Sequence, residues 1–342
     1  MRASILATAL LIATASSLAA TLEEAKALFE DRRIPQARAA FEALARSGPS
    51  RAEASFYLGR LADIERDPEN AAKHYEAAAA LDPKNARYRF WAGRAYRQVT
   101  HGLNVFRAVV MTKKAQRAFE DAVRLDPSYV EARAALIDFY LSNADEIGPF
   151  FVEGAEQKAR AQLAAIEKLD PAYAHFARVR FHRRAEKPEL VTREYEAAVR
   201  RFPNDPRSHI WFSTFRSEQG RWDAAIREAA EAVRVDPSYM PGYFQVGHVA
   251  VASGKNLEAG EAALRKYLTY VPKDDEPTIT MARFQLGLLY EKLGRNAEAL
   301  AQLKEAERRW PDFWPIRSAL ERVRKAEAGK GKPKGATPRP RP

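Results

Sequence analysis

The chain of 342 residues contains no cysteine and no histidine cluster. Without cysteine there is no disulfide framework, no thiolate metal site, no sulfur nucleophile and no lipid-bearing cysteine near the N-terminus. The six histidines, His74, His101, His175, His182, His209 and His248, stand at no metal-ligand spacing, so they read as packing or solvated residues. No Gly-x-Ser-x-Gly sequence and no glycine-rich phosphate loop occurs. The acidic pairs Glu23-Glu24 and Asp274-Asp275 are neighbours along the chain, which suits capping or solvation better than convergence on a substrate. These absences exclude the common enzyme chemistries and predict neither a cofactor nor a metal.

Long hydrophobic runs are scarce as well. The exception is MRASILATALLIATASSLAA, which joins one basic residue, an apolar run from Ile5 to Ala13 and small residues before a cut after Ala19, with Ser17 three places upstream. That order predicts a cleaved secretory signal over residues 1–19 and an exported product, periplasmic in a Gram-negative source. A buried N-terminal helix or an uncleaved anchor is the competing reading; the run is short for a span of roughly 20 residues and rich in Ser and Thr. At the other end, residues 325–342 carry six Lys/Arg against one Glu, with Gly and Pro and almost nothing apolar. They read as a disordered basic tail, able to touch an anionic envelope surface through charge alone or merely to solubilise the chain. The formal net charge is +11, of which this tail holds nearly half. No nucleic-acid partner is expected.

What the chain has in abundance is repetition. Leu-Asp-Pro closes three alanine-rich amphipathic stretches, at Leu81-Asp82-Pro83, Leu125-Asp126-Pro127 and Leu169-Asp170-Pro171, with prolines 44 residues apart. Near the C-terminus, "LGLLYEKLGRNAEALAQLKEAERRWP" places Leu286, Gly287, Tyr290, Gly294, Ala299, Leu303, Ala306 and Pro311 in an order that resembles the tetratricopeptide repeat, a helical hairpin of about 34 residues. The same grid finds Leu58, Gly59, Ala71, Tyr75, Ala78 and Pro83; then Gly93, Tyr96, Ala115, Phe119, Ala122 and Pro127; then Tyr140, Ala159, Leu163 and Pro171. Weaker copies end at Pro49, Pro203, Pro237 and Pro272, with Gly220 and Gly254 at internal turns.

The resemblance implies an all-α, right-handed superhelical solenoid of about eight hairpins over residues 20–324, with a capping helix from about Trp314 to Lys325. Gly59 and Ala71 keep the usual spacing, but Gly93 to Ala115 and Ile137 to Ala159 are each ten residues longer. Two insertions near 99–113 and 143–157 therefore explain the interval of 44, and as turns of consecutive repeats they lie side by side. The second, "YLSNADEIGP" leading to "EQKARAQ", is similar to a hairpin variant of bacterial exported repeat proteins, with Gly148-Pro149-Phe150-Phe151 standing where that variant has Ala-Pro and a glycine pair.

Solenoids of this kind bind partners along the face of their first helices, and the resemblance assigns positions 5, 9 and 12 of each repeat to that groove. Position 5 reads Phe56, Phe90, Ala134, Phe176, Ile210, Phe244 and Phe284; position 9 contains Arg60, Arg94 and Arg180, and position 12 adds Arg97 and Arg183. Phenylalanine offers apolar area and arginine a bidentate fork for carboxylates, a pairing suited to an acidic peptide with apolar anchors. The same residues also fit a structural role, with the rings packing sideways on the next repeat and the arginines solvating the face. Phe106, Phe150 and Phe151 mark a second candidate surface on the insertions. The expected function is a non-catalytic protein-protein scaffold or adaptor in the bacterial envelope; the alternative is a binding module for an anionic envelope polymer or membrane surface.

Overall fold

In a computed structural model the chain is described over residues 21–31, 33–99, 105–146, 154–273, 276–311 and 313–330. The expected signal segment, Phe150, Phe151 and residues 331–342 lie outside the described residues. Among the described residues there are seventeen helices and no strand. They pair into eight consecutive antiparallel hairpins. These are α1 (Leu22–Glu30) with α2 (Ile34–Arg46), α3 (Arg51–Ile64) with α4 (Pro68–Leu81), α5 (Ala86–Val99) with α6 (Val105–Leu125), and α7 (Val130–Glu146) with α8 (Ala155–Leu169). The array continues with α9 (Pro171–Arg184) and α10 (Pro188–Arg201), α11 (Pro206–Glu218) and α12 (Trp222–Val235), α13 (Met240–Ser253) and α14 (Leu257–Tyr267), and α15 (Ile279–Lys292) with α16 (Asn296–Arg309). Helix α17 (Trp314–Lys330) covers the last hairpin.

The boundaries follow from local chemistry. Thr21 and Glu24 form a reciprocal capping box on α1, and Asp67, Asp170, Asp205 and Thr278 each accept an amide N–H at the start of the helix that follows. Proline stands in the first turn of α4, α9, α10 and α11, where its missing N–H leaves no orphan. Asp170 is both the last cap of α8 and the first of α9, so the third Leu-Asp-Pro joins two helices with no loop between them.

Within a hairpin, a small residue on the first helix admits a large one from the second. A Cβ added at Gly287 would sit 2.6 Å from Leu303 Cγ, and one at Gly59 2.6 Å from the Tyr75 ring. Leu303 and Tyr75 are fully buried in these notches, and each such side chain contributes roughly 1.5–3 kcal/mol by leaving water. The fourth and fifth hairpins break the pattern, because Ile137 and Val179 occupy the place of the glycine. Both branched side chains are themselves buried, that of Val179 against Val191 and Tyr195 of α10.

Two expectations about boundaries need correcting. The insertion after Val99 is not simply a turn: α6 begins at Val105 and runs 21 residues, so most of the added segment extends the second helix. Its residues Val105 to Met111 continue the helix without a glycine or proline, and Phe106 on this extension is 86% exposed. At the C-terminus α17 reaches Lys330, six residues into the stretch expected to be tail, since Ala326, Glu327 and Ala328 favour helix and the first proline comes only at Pro333.

Candidate functional site

The face expected to bind is built from the first helix of each hairpin, and most of its phenylalanines are not exposed. Phe56 is fully buried, with its ring 5.5 Å from Tyr75 of its own hairpin and 5.4 and 5.9 Å from Tyr88 and Trp91 of the next. Phe90 packs 6.1 Å from Phe119 and 5.1 Å from Tyr129, and Phe284 lies 5.9 Å from Phe313; both are buried. The reading of Phe56, Phe90 and Phe284 as exposed anchors is therefore corrected. Position 5 falls on the seam where consecutive hairpins meet, and an apolar ring there is covered by the neighbour's first helix. Phe244 is half-buried, stacked on His248 and against Tyr267.

The arginines divide into two groups. In the N-terminal half, Arg60 and Arg94 each hold a guanidinium 4.3 Å from the centroid of Trp91, a buried indole. Asp63 lies between the same elements and accepts from the Tyr75 hydroxyl at 2.5 Å. Burial pushes the Asp63 carboxyl up, although Tyr75, Arg60 and Arg94 pull it the other way. In the centre, Arg180 Nε meets Asp138 Oδ1 at 2.6 Å, and its guanidinium covers the Phe176 ring at 4.6 Å. Asp138 is also pushed up by burial, against the opposing pull of Arg180 and Arg97. These contacts make Arg60 and Arg180 part of the packing between hairpins, whereas Arg94 is exposed and Arg97 half-exposed.

Between α9 and α11 the packing opens. A hollow of about 320 Å³ is lined by Phe176, Arg180, Arg183, Tyr195, Trp211 and Thr214, with Val179 and Glu218 at its edge. Phe176 and Trp211 are stacked at 4.8 Å with an interplanar angle of 15°, and both are half-buried. Three expected groove residues, Phe176, Arg180 and Arg183, thus meet in one concavity. The hollow lies where Val179 replaces the close-packing glycine. Trp211 and Tyr195 were not anticipated from the sequence. The signal available was register: Trp211 and Trp91 occupy the same place in their repeats, one residue past the phenylalanine row.

His175 and His209 serve packing inside their hairpins. His175 and Glu194 meet at 2.7 Å, and 34 residues on His209 and Glu228 meet at 2.8 Å, so one His–carboxylate pair recurs inside consecutive hairpins. His209 Nε2 also faces the Pro203 carbonyl oxygen at 2.9 Å. Burial alone would lower the His209 pKa, but the Glu228 and Pro203 acceptors outweigh it and raise the value above 6.5. No group of three or more metal-ligating side chains occurs among the described residues. Phe106 stands apart from the groove, on the extension of α6.

Comparison with known proteins agrees with this architecture. A family model described as tetratricopeptide repeat matches residues 22–73, 65–98 and 244–313, on either side of the central hollow. Small glutamine-rich tetratricopeptide repeat-containing protein 2 of Saccharomyces cerevisiae is 32% identical over 74 residues, covering 22% of this chain and 21% of that protein. Hsp70-Hsp90 organizing protein 3 of Arabidopsis thaliana is 25% identical over 123 residues, covering 35% of this chain and 22% of the relative. The chain thus spans less than a quarter of the curated relatives it matches. Among solved structures, yeast Tom70 superposes with a TM-score of 0.59 at 14% identity, over 91% of this chain and 61% of the other, a likeness of fold.

Proposed function

This chain is a tetratricopeptide repeat protein, and we propose that it is an exported, non-catalytic adaptor that holds an extended segment of another envelope protein against the first-helix face of its solenoid. Binding of proteins or peptides is the general work of such repeats. The observation that carries the finer reading is the hollow between α9 and α11. It combines a stacked Phe176–Trp211 pair, half-buried rather than sealed, with the guanidiniums of Arg180 and Arg183 in one concave space of about 320 Å³. Half-buried aromatics beside arginine are the composition that dominates binding energy at protein interfaces. The export part rests on the N-terminal sequence: one basic residue, a short apolar run and small residues before Ala20.

Affinity capture from envelope extract with the mature chain, beside Trp211→Ala, tests the groove. The parent is expected to retain a protein partner from low to moderate salt and Trp211→Ala to lose it. Retention of a polymer that releases as salt rises, with Trp211→Ala unaffected, would instead mean an anionic surface ligand. Export is tested separately. Fused to a reporter active only outside the cytoplasm, residues 1–30 should give signal, and the mature N-terminus should begin at Ala20 or Thr21.

A further inference from the structure

The hollow between α9 and α11 has a neighbour. A second hollow of about 470 Å³ opens towards the turn between α9 and α10, lined by Pro188, Val191 and Phe215 with Glu186, Lys187 and Gln219 beside them. The two share Arg183 and Glu218. Arg183 Nη2 meets Glu218 Oε2 at 3.0 Å, and both side chains are about half exposed, so a single ion pair in contact with water partitions the two spaces. At the opposite ends of the same helices the tie is of another kind: Arg207 binds Asp170 through two nitrogens, at 2.5 and 3.1 Å, and Asp205 as well. The α9–α11 seam is fastened at its N-terminal ends and closed at its C-terminal ends by an exchangeable pair.

We propose that the two hollows form one site for an acidic peptide segment that crosses the wall of the solenoid between α9 and α11, rather than running only along the groove. The carboxylate of the segment takes the place of Glu218 on Arg183. The apolar side chain on one side of it, aromatic by preference, rests against Phe176 and Trp211, and the aliphatic side chain on the other rests over Val191 and Phe215. Charge argues for this occupant. Arg180 is already held by the part-buried Asp138, whereas Arg183 is the guanidinium at the partition and is bound by an exposed carboxylate, the group a partner's Asp or Glu would reproduce. Apolar surface on both sides of one guanidinium matches an acidic residue with an apolar residue before and after it. This inference rests on the reading of the groove as the partner-binding face.

The natural absence of cysteine provides the test. The probe is the fluorescein-labelled peptide Gly-Ser-Phe-Asp-Leu-Gly-Ser with a bromoacetyl group at one end or the other. It is offered to the mature chain carrying a single Thr214→Cys, in the lining of the first hollow, or Gln219→Cys, in the lining of the second. Crossing predicts alkylation of both, each by the oppositely tipped peptide. By anisotropy, Glu218→Gln should tighten binding about threefold or more by releasing Arg183, and Arg183→Gln should weaken it about tenfold. A merely structural pair predicts that both substitutions act in the same direction. Alkylation of Thr214→Cys alone, with Glu218→Gln no tighter than the parent, overturns the crossing and leaves groove binding standing. No saturable binding of the peptide to a chain that still captures its envelope partner overturns the acid-centred site. Loss of both binding modes overturns the groove reading itself.

Discussion

Arg309, at the end of α16, donates through Nη1 to the main-chain oxygen of Glu30 at 3.0 Å and approaches Asp31 through Nη2 at 3.3 Å, although the two partners stand 279 and 278 positions away in the chain. Glu305 holds the same guanidinium from its own helix at 3.1 Å, and the Arg309 side chain is only 11% exposed. The first helix therefore meets the last hairpin, and eight hairpins complete one circuit. Glu30 offers a carbonyl at the C-terminal end of α1, where unpaired oxygens and the helix dipole favour a cation.

Removing the clasp should free the ends. In a background of Ala27→Cys and Ala301→Cys, both exposed positions on the facing elements, spin labels should report a narrow distance distribution in the parent and a broad, longer one in Arg309→Ala. The loss of a part-buried charged hydrogen-bond donor should also cost roughly 1–3 kcal/mol in the terminal hairpins. Identical distributions in both proteins would mean that stacking alone sets the curvature.

Close packing at Gly287 gives a prediction of local character. A leucine there drives its Cβ to within 2.6 Å of Leu303 and adds three further carbons, so Gly287→Leu should destabilise the α15–α16 hairpin by roughly 2 kcal/mol or more. Because contacts in a solenoid run only to neighbours, apart from the clasp, hydrogen exchange should accelerate in α15, α16 and α17 and hardly at all in α5 to α8. An increase spread evenly over the chain would contradict one-dimensional stacking.

The hairpins could be read from the sequence because their constraints are local and repeated. Leu286-Gly287 and Leu303, or Leu58-Gly59 and Tyr75, state on their own that two helices approach closely, and the prolines mark each return. Three features had no such signal. The clasp joins residues 279 positions apart and has no period. The central hollow lies beside a deviation, Val179 where a glycine is expected, and beside Trp211, one step off the phenylalanine row. Which side of the first helix is sealed depends on the tilt between hairpins, so Phe56, Phe90 and Phe284 entered the seam while Phe176 stayed at the rim of a cavity.

Phe90 and Arg94 separate seam from surface in the N-terminal half. Phe90→Ala removes a buried ring between Phe119 and Tyr129, and should cost about 3–5 kcal/mol in a denaturation experiment. Arg94→Glu instead alters an exposed residue, but it loses a guanidinium over Trp91 and sets a second carboxylate near Asp63; a loss of about 1 kcal/mol is expected. If Phe90→Ala melts like the parent, the ring is not the seam residue described above.

The last prediction concerns pH and rests on His209. Its Nδ1 faces Glu228 and its Nε2 faces the Pro203 carbonyl. Both partners are acceptors, so only the doubly protonated ring can donate to both. That arrangement raises the folded-state pKa above the reference 6.5 in spite of the burial that opposes it. A raised folded value means the charged form is bound more tightly in the folded state. The stabilisation is therefore fully present below about pH 6.5, and it is lost as pH rises through the folded-state value. His248 works in the opposite sense, since burial lowers its pKa and acid favours the unfolded chain through it. Burial lowers the His74 pKa as well, so a pH profile of the parent alone would mix all three. The useful quantity is the melting temperature of the parent minus that of His209→Gln, in which His74 and His248 cancel. It should be largest near pH 5.5 and shrink progressively above pH 6.5. A difference that is flat with pH, or that grows towards alkaline pH, would show that His209 is neutral in the folded chain and that one of its two contacts is not a hydrogen bond.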